Sequence, residues 1–290
     1  VGSSAFHPLG TKHAADEAIQ LAATGTAIFF LFGQTGLATG PVVTGIILDT
    51  FGTFGLYLLA LLAVPYLIFM TFAMRHTRPE SHSTISRPVG GRMETMKAVQ
   101  WGSVSILALL IGLRSWAFLG TVTFLPKLFQ DMGWETAAFG LITGTYWMAS
   151  ALAGVVGGHF ADRFGRRQVV FITLLAGSIP LYFLPLSGGW LAFPLAIISG
   201  GLLGASHSIL VVISQAVLPG KKAFASGVTL GYLFGTGAIA AWGIGMLADT
   251  FGLGPVIQAG TLVGIVAAFL ALALPGTREV SQKQPEGALA

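Results

Sequence analysis

Arg114 lies inside an apolar run from about 99 to 122, the only Lys or Arg so deep in such a run. Carrying a guanidinium to the centre of a bilayer helix costs about 2.5–3.5 kcal/mol. An acidic partner, a wet cavity or an anionic substrate has to offset that cost. No Asp or Glu sits at matching depth in another apolar run. The planar fork of donors suits a phosphonate or a carboxylate; a structural role near the outer mouth is the competing reading. His7 and His207 each lie about ten residues from the expected cytoplasmic end of a helix, roughly 15 Å deep and near the bilayer midplane. Imidazole titrates near pH 6.5, so two such groups facing one cavity would exchange a proton or hydrogen-bond a substrate. The plainer alternative is a histidine held by a neighbouring helix. A third group is the run Gly158-x-x-x-Asp162-Arg163-x-Gly165-Arg166-Arg167. Its charges cannot rest in hydrocarbon, so it marks a tight turn at a membrane surface. Asp162 beside arginines, near the N-terminus of another helix, would lock one conformation through charge and dipole. Alternatively, the arginines do no more than fix topology.

Membrane-crossing helices are needed to position these side chains. The chain is 54% hydrophobic and 9% charged, whereas a soluble domain carries about a quarter charged residues; mean hydropathy is +0.79. Spans are expected at 25–48, 54–74, 99–122, 137–158, 168–186, 190–217, 225–248 and 254–275. Runs near 20 residues without alternation fit helices and exclude an outer-membrane barrel. The absence of cysteine removes disulfides, thiol catalysis and cysteine metal sites. The net charge of +4 is no nucleic-acid signal, because the basic residues lie between apolar runs. An even number of spans puts Lys12, the 75–98 connection, Arg163–Arg167, Lys221, Lys222 and the C-terminal tail on one side. Only Lys127 falls on the other, so the first side is expected to be cytoplasmic. Asp49, Asp131, Glu135 and Asp249 lie on the opposite face.

The chain repeats itself at an offset of about 200 residues. Asp49-Thr50-Phe51-Gly52 recurs as Asp249-Thr250-Phe251-Gly252, and Leu31-Phe32-Gly33 as Leu233-Phe234-Gly235. His7 and His207 occupy equivalent places in this repeat. Internal repeats of this kind mark transporter folds built from two related halves. The expected organisation is 1–74 as the remnant of an N-terminal bundle (part of helix 4, helices 5 and 6), 75–98 as a cytoplasmic linker, 99–275 as a six-helix bundle, and 276–290 as a cytoplasmic tail. The repeat predicts roughly 100 residues before Val1, at 20–25 per missing span. The chain is therefore expected to be an N-terminally truncated twelve-span protein; a complete eight-span protein is the alternative.

The charged run closely resembles the loop motif of the major facilitator superfamily of transporters. Gly36-x-x-x-Gly40-Pro41-x-x-Thr44-Gly45 resembles the fifth-helix motif of proton-linked drug exporters, with Thr44 where that motif has a Gly. Gly2-Ser3-Ser4-Ala5-Phe6-His7-Pro8 and Leu113-Arg114-Ser115-Trp116 resemble segments of the fosmidomycin-resistance family. Leu9 departs from members that carry an acidic residue there, which weakens transfer of a proton-carrying role. The resemblance implies a major facilitator fold of two six-helix bundles, the first incomplete, in an all-α polytopic membrane protein. It also implies efflux of small drugs, including an anionic phosphonate, driven by proton entry at the inner or plasma membrane. In that fold, helices four and ten line a central cavity, where His7 and His207 would sit.

Gly33, Gly36, Gly40 and Thr44 recur at three- and four-residue spacing and predict a smooth face for close helix packing, with Pro41 bending or stiffening the span. Trp116, Tyr146 and Trp147 are candidates to line the cavity, ranked below the reading of aromatics as interfacial anchors or core, and Gln34, Ser214 and Gln215 are candidate polar cavity residues without firm placement. No metal, nucleotide or nucleophile pattern is present; there is no phosphate-binding loop with its Lys, which argues against an ATP-driven pump. The expectation is a monomeric secondary transporter, not an enzyme, with a small-molecule substrate, protons and the lipid bilayer as partners and no cofactor. An uptake symporter or facilitator for an organic anion or sugar is the runner-up, and a non-transporting sensor or fragment a third reading.

Overall fold

The structure, a computed structural model, describes His7, residues 10–15, Ala18 and residues 21–76, 101–218 and 222–274. At 58–60, 62, 63, 66, 70 and 73–76 it describes the backbone alone. The expected connection beyond His76 and the tail 276–290 lie outside the described residues. All regular structure among the described residues is helical. The helices are α1 (Ala22–Phe51), α2 (Gly55–His76), α3 (Trp101–Asp131), α4 (Thr136–Phe164), α5 (Arg166–Phe183), α6 (Ala192–Val217), α7 (Lys222–Phe251) and α8 (Leu253–Ala271). Among the described residues, 7 helical stretches are long and apolar enough to cross a membrane. They begin at Ala22, Trp101, Thr136, Arg166, Gly189, Lys222 and Leu253. The span expected at 54–74 corresponds to α2, whose 22 residues reach about 33 Å.

Two spans outrun their sequence boundaries. The run expected at 99–122 continues as helix to Asp131, and the one at 137–158 continues to Phe164. The tight turn expected over 158–167 shrinks to Gly165, at φ 105°, with α5 starting at the next residue. Charge ends the membrane-buried part of a helix, not the helix itself. What ends α4 is a residue in the left-handed region, where a side chain would be strained. The repeated Asp-Thr-Phe-Gly has the same physical meaning. Gly52 at φ 61° and Gly252 at φ 81° stop their helices and donate N–H bonds to the carbonyls of Leu48 and Ala248.

Helix α6 is the centre of the bundle, with all of Leu203–Ser214 buried. Small residues let it approach α4: Gly200 lies against Tyr146, Gly204 against Ser150, and Gly157 of α4 against Ala205. Hydroxyls inside the spans bond back to their own helix, as Thr143 does to Phe139, Ser178 to Leu174 and Ser199 to Leu195. These back-bonds satisfy hydroxyls that would otherwise face hydrocarbon. The outer surface carries Phe32, Trp242, Leu262 and Phe269, an apolar coat suited to lipid and not to water.

Helices α1 and α4 run antiparallel along their whole length. From one end to the other, the contacts are Ala23 with Gly158, Gln34 with Ser150, Ala38 with Gly144, Pro41 with Gly140, and Gly45 with Thr136. The close approach comes mostly from glycines of α4. Of the glycines expected to pack α1, Gly45 touches α4, but Gly33, Gly36 and Gly40 meet nothing described within 4 Å of a built Cβ. Helical phase is the reason. The buried face carries Phe30, Gln34 and Ala38, and a residue two positions on is turned by about 200°. Pro41 sits inside α1 without ending it.

A Cβ at Gly144 would collide with the Ala38 carbonyl and the Val42 side chain, while one at Gly154 meets nothing within 4 Å. Gly144→Val is expected to lower the melting temperature by several degrees in detergent, as overpacking costs about 1–3 kcal/mol. Gly154→Ala is the control, expected to melt with the parent. Equal melting of both variants would contradict this packing.

Candidate functional site

Arg114 is buried to 1% exposure on α3, turned toward α6. Its Nε donates to Ser206 Oγ at 3.1 Å and one terminal nitrogen donates to the Leu203 carbonyl at 3.3 Å. Ser206 Oγ donates to that same carbonyl at 2.8 Å. The guanidinium lies over the Phe118 ring, 4.7 Å from its centroid. The four-residue spacing on α3 delivers this ring, and a desolvated cation–π contact contributes about 2 kcal/mol. Directly after Arg114 and Ser115 the helix widens into a π-turn over Trp116–Gly120, a distortion frequent at functional sites.

No acidic side chain hydrogen-bonds or ion-pairs with Arg114 among the described residues. Its second terminal nitrogen, Nη1, is buried without a hydrogen-bond partner. So is the hydroxyl of Tyr146, which is fully buried. Tyr146 and Arg114 share the Phe118 ring, Tyr146 at 5.3 Å between centroids. Trp147 flanks the same ring edge-on at 5.3 Å. The sequence ranks Tyr146 low among cavity candidates, because a tyrosine in an apolar run carries no signal of what its hydroxyl meets. Trp116 lies elsewhere, against Gly243 and Gly260.

His207 follows Ser206 on α6. One step along a helix is about 100°, so while Ser206 meets Arg114, His207 meets α1. Its ring stands edge-on to Phe30 at 4.6 Å. The other side of the junction holds His7, 6.4 Å from Phe30 and 6.0 Å from Phe29 between centroids. The two histidines thus meet through Phe30. The structure gathers all three sequence candidates, His7, His207 and Arg114, around the α1–α3–α6 junction.

Asp162, near the C-terminal end of α4, serves a different helix. Its carboxylate accepts the backbone N–H groups of Ala23 at 3.2 Å and Thr24 at 3.0 Å, and the Thr24 hydroxyl at 3.0 Å. Helix α1 has no side-chain cap of its own at Leu21. Asp162 fills that place from about 140 residues away, at the N2 and N3 positions where a capping side chain acts. Arg166 lies 3.7 Å from Asp162, one turn beyond it. Arg163 and Arg167 are exposed, Arg163 above the Phe164 ring at 5.5 Å. Gly158, four residues before Asp162, leaves room for the backbone of Ala23 and Thr24. Elsewhere, Ser150 donates to Gln34 at 3.1 Å and Gln215 to Ser226 at 2.8 Å.

A helical bundle with an apolar coat, a buried arginine and a carboxylate clasping a distant helix end defines a multi-pass membrane protein. The family model for the Major Facilitator Superfamily matches residues 1–228 and again residues 107–289, and the chain belongs to that superfamily. It is 30% identical over 290 residues to the uncharacterized MFS-type transporter YfnC of Bacillus subtilis (strain 168), covering 97% of this chain and 70% of that protein. It is 26% identical over 257 residues to the fosmidomycin resistance protein of Escherichia coli (strain K12), covering 86% of this chain and 62% of that protein. It is also similar to the tetracenomycin C resistance and export protein of Streptomyces glaucescens, at 27% over 167 residues, 56% of this chain and 31% of that protein.

Proposed function

We propose that the protein is a proton-linked exporter of small, anionic, drug-like compounds that works by alternating access. The observation that carries this reading is Arg114, buried with no acidic partner among the described residues and with Nη1 unsatisfied, while Tyr146, packed on the same Phe118 ring, also has an unsatisfied hydroxyl. Nη1 of the guanidinium and the phenol are two donors in a dry site, and together they fit one oxyanion. His207 and His7 supply the groups that gain and lose a proton. Two relatives named for drug resistance or export support the outward direction. In this reading residues 1–74 and 99–275 belong to two bundles joined by 75–98. Asp162 holds them closed at the side bearing most basic residues, which is cytoplasmic. The transporter acts as a monomer without a cofactor.

Cells producing the protein test the direction of transport. Challenged with a phosphonate antibiotic, they are expected to tolerate more of it and to hold less labelled compound inside than cells without it. A rise in internal label would replace export by uptake.

A further inference from the structure

The Asp-Thr-Phe-Gly repeat explains how α1 stops, but the helix stop does not require its aspartate. In the structure Asp49 has a partner: its carboxylate accepts the backbone N–H of Ala137 at 2.8 Å. Ala137 is the N2 residue of α4, and α4 has no side-chain cap of its own at Glu135. The contact mirrors the one at the other end of the pair. Asp162, near the end of α4, caps α1 at Ala23 and Thr24; Asp49, near the end of α1, caps α4 at Ala137. The glycines match as well. Gly158 precedes Asp162 by four residues and touches Ala23 and Thr24. Gly45 precedes Asp49 by four residues, and a Cβ there would lie 2.8 Å from the Thr136 carbonyl oxygen and 3.2 Å from the Ala137 Cα. Each end of the helix pair is thus closed by one Gly-x-x-x-Asp unit: a bare glycine that admits the partner backbone and a carboxylate that holds its first turn by charge and dipole.

Resting on the alternating-access reading above, we propose that Gly45 and Asp49 form a second gate latch, closing the end of the α1–α4 pair opposite Asp162. The two latches release in turn. Ala23 and Asp49 lie 26 residues apart on one helix, a lever of about 39 Å. A pivot midway lies about 20 Å from either end, so parting one end by about 5 Å needs a tilt of roughly 15°. Midway, the Ser150–Gln34 hydrogen bond and the Gly144–Ala38 contact form the pivot that lets one end part while the other stays capped. Both ends are capped in the structure, which places this helix pair between its two open states. Asp49 is a positioning residue; it touches no substrate.

The sequence has no cysteine, so spin labels can be placed without background. One pair goes at the exposed Thr50 and Glu135, the other at the exposed Leu21 and Phe164. Electron–electron distance measurements on the protein in lipid nanodiscs then report each end separately. Asp49→Ala is expected to raise the long-distance population at Thr50–Glu135 about tenfold, the loss of one charge-assisted cap, and to leave Leu21–Phe164 unchanged. Gly45→Ala, a steric wedge at the same place, is expected to open the same end. Asp49→Glu is expected to restore the parent distribution in part. Parent-like distances at Thr50–Glu135 in both Asp49→Ala and Gly45→Ala would overturn the proposal, as would opening of the two ends together. The readout does not require transport. A protein that carries no compound sinks the export reading and leaves the latch standing; unchanged distances sink the latch and leave export standing.

Discussion

Asp162→Ala is expected to raise the population open at the α1 N-terminus on the order of 100-fold. The carboxylate supplies acceptors for two backbone N–H groups and a hydroxyl, and it is paired with Arg166. Losing an N-cap costs about 0.5–2 kcal/mol and each hydrogen bond to a charged group contributes about 1.5–3 kcal/mol. Water replaces some of these bonds once the end opens, leaving a net of about 3 kcal/mol, or roughly 100-fold at 1.4 kcal/mol per tenfold. A single cysteine at Ala27, 2% exposed and one turn beyond the capped residues, reads this directly. Maleimide should label it slowly in the parent background and far faster with Asp162→Ala. Asp162→Asn keeps one acceptor oxygen and belongs between the two. Equal labelling rates in all three would remove Asp162 from gating.

Arg114→Gln is expected to separate transport from stability. Gln still reaches for Ser206, but it lacks the charge and the fork, so anion transport should fall at least 100-fold, the loss of about 3 kcal/mol of binding in a dry site. The fold, by contrast, is relieved of a buried cation without a counter-charge. The melting temperature of Arg114→Gln should therefore match or exceed that of the parent, the pattern of a residue kept for function at a cost in stability. Arg114→Lys keeps charge without the planar fork and should retain only a minor share of transport. If Arg114→Gln melts many degrees lower and loses neutral and anionic compounds alike, the arginine is structural.

Hydropathy made the helices legible in the sequence, because lipid leaves few other solutions for a chain of apolar runs. It placed the ends of α3 and α4 too early. Lys127, Asp131, Asp162 and Arg163 leave the hydrocarbon but stay helical, and residue charge carries no information on that difference. Arg114 stood out by its cost alone. His207 and His7 stood out by symmetry, but the Phe30 ring between them is a long-range contact that no local pattern encodes. Tyr146 was a low-ranked cavity candidate for the same reason. Asp162 was readable as a clasp for a helix N-terminus; which helix it holds depends on a pairing 138 residues apart. Gly36 and Gly40 looked like packing glycines and meet no described neighbour, because spacing fixes a face and not the direction in which that face points. Gly45 and Asp49 were each noted for another reason, one in a packing motif and one in a repeat. Only the antiparallel pairing of α1 with α4 joins them.

Flux in inside-out membrane vesicles tests the central claim most directly. With the vesicle interior acidified, the protein should accumulate a labelled phosphonate. A protonophore should abolish the accumulation, and Arg114→Gln vesicles should show none while containing as much folded protein. Accumulation that ignores the proton gradient, or that survives in Arg114→Gln, would contradict a proton-driven carrier built around a buried anion site.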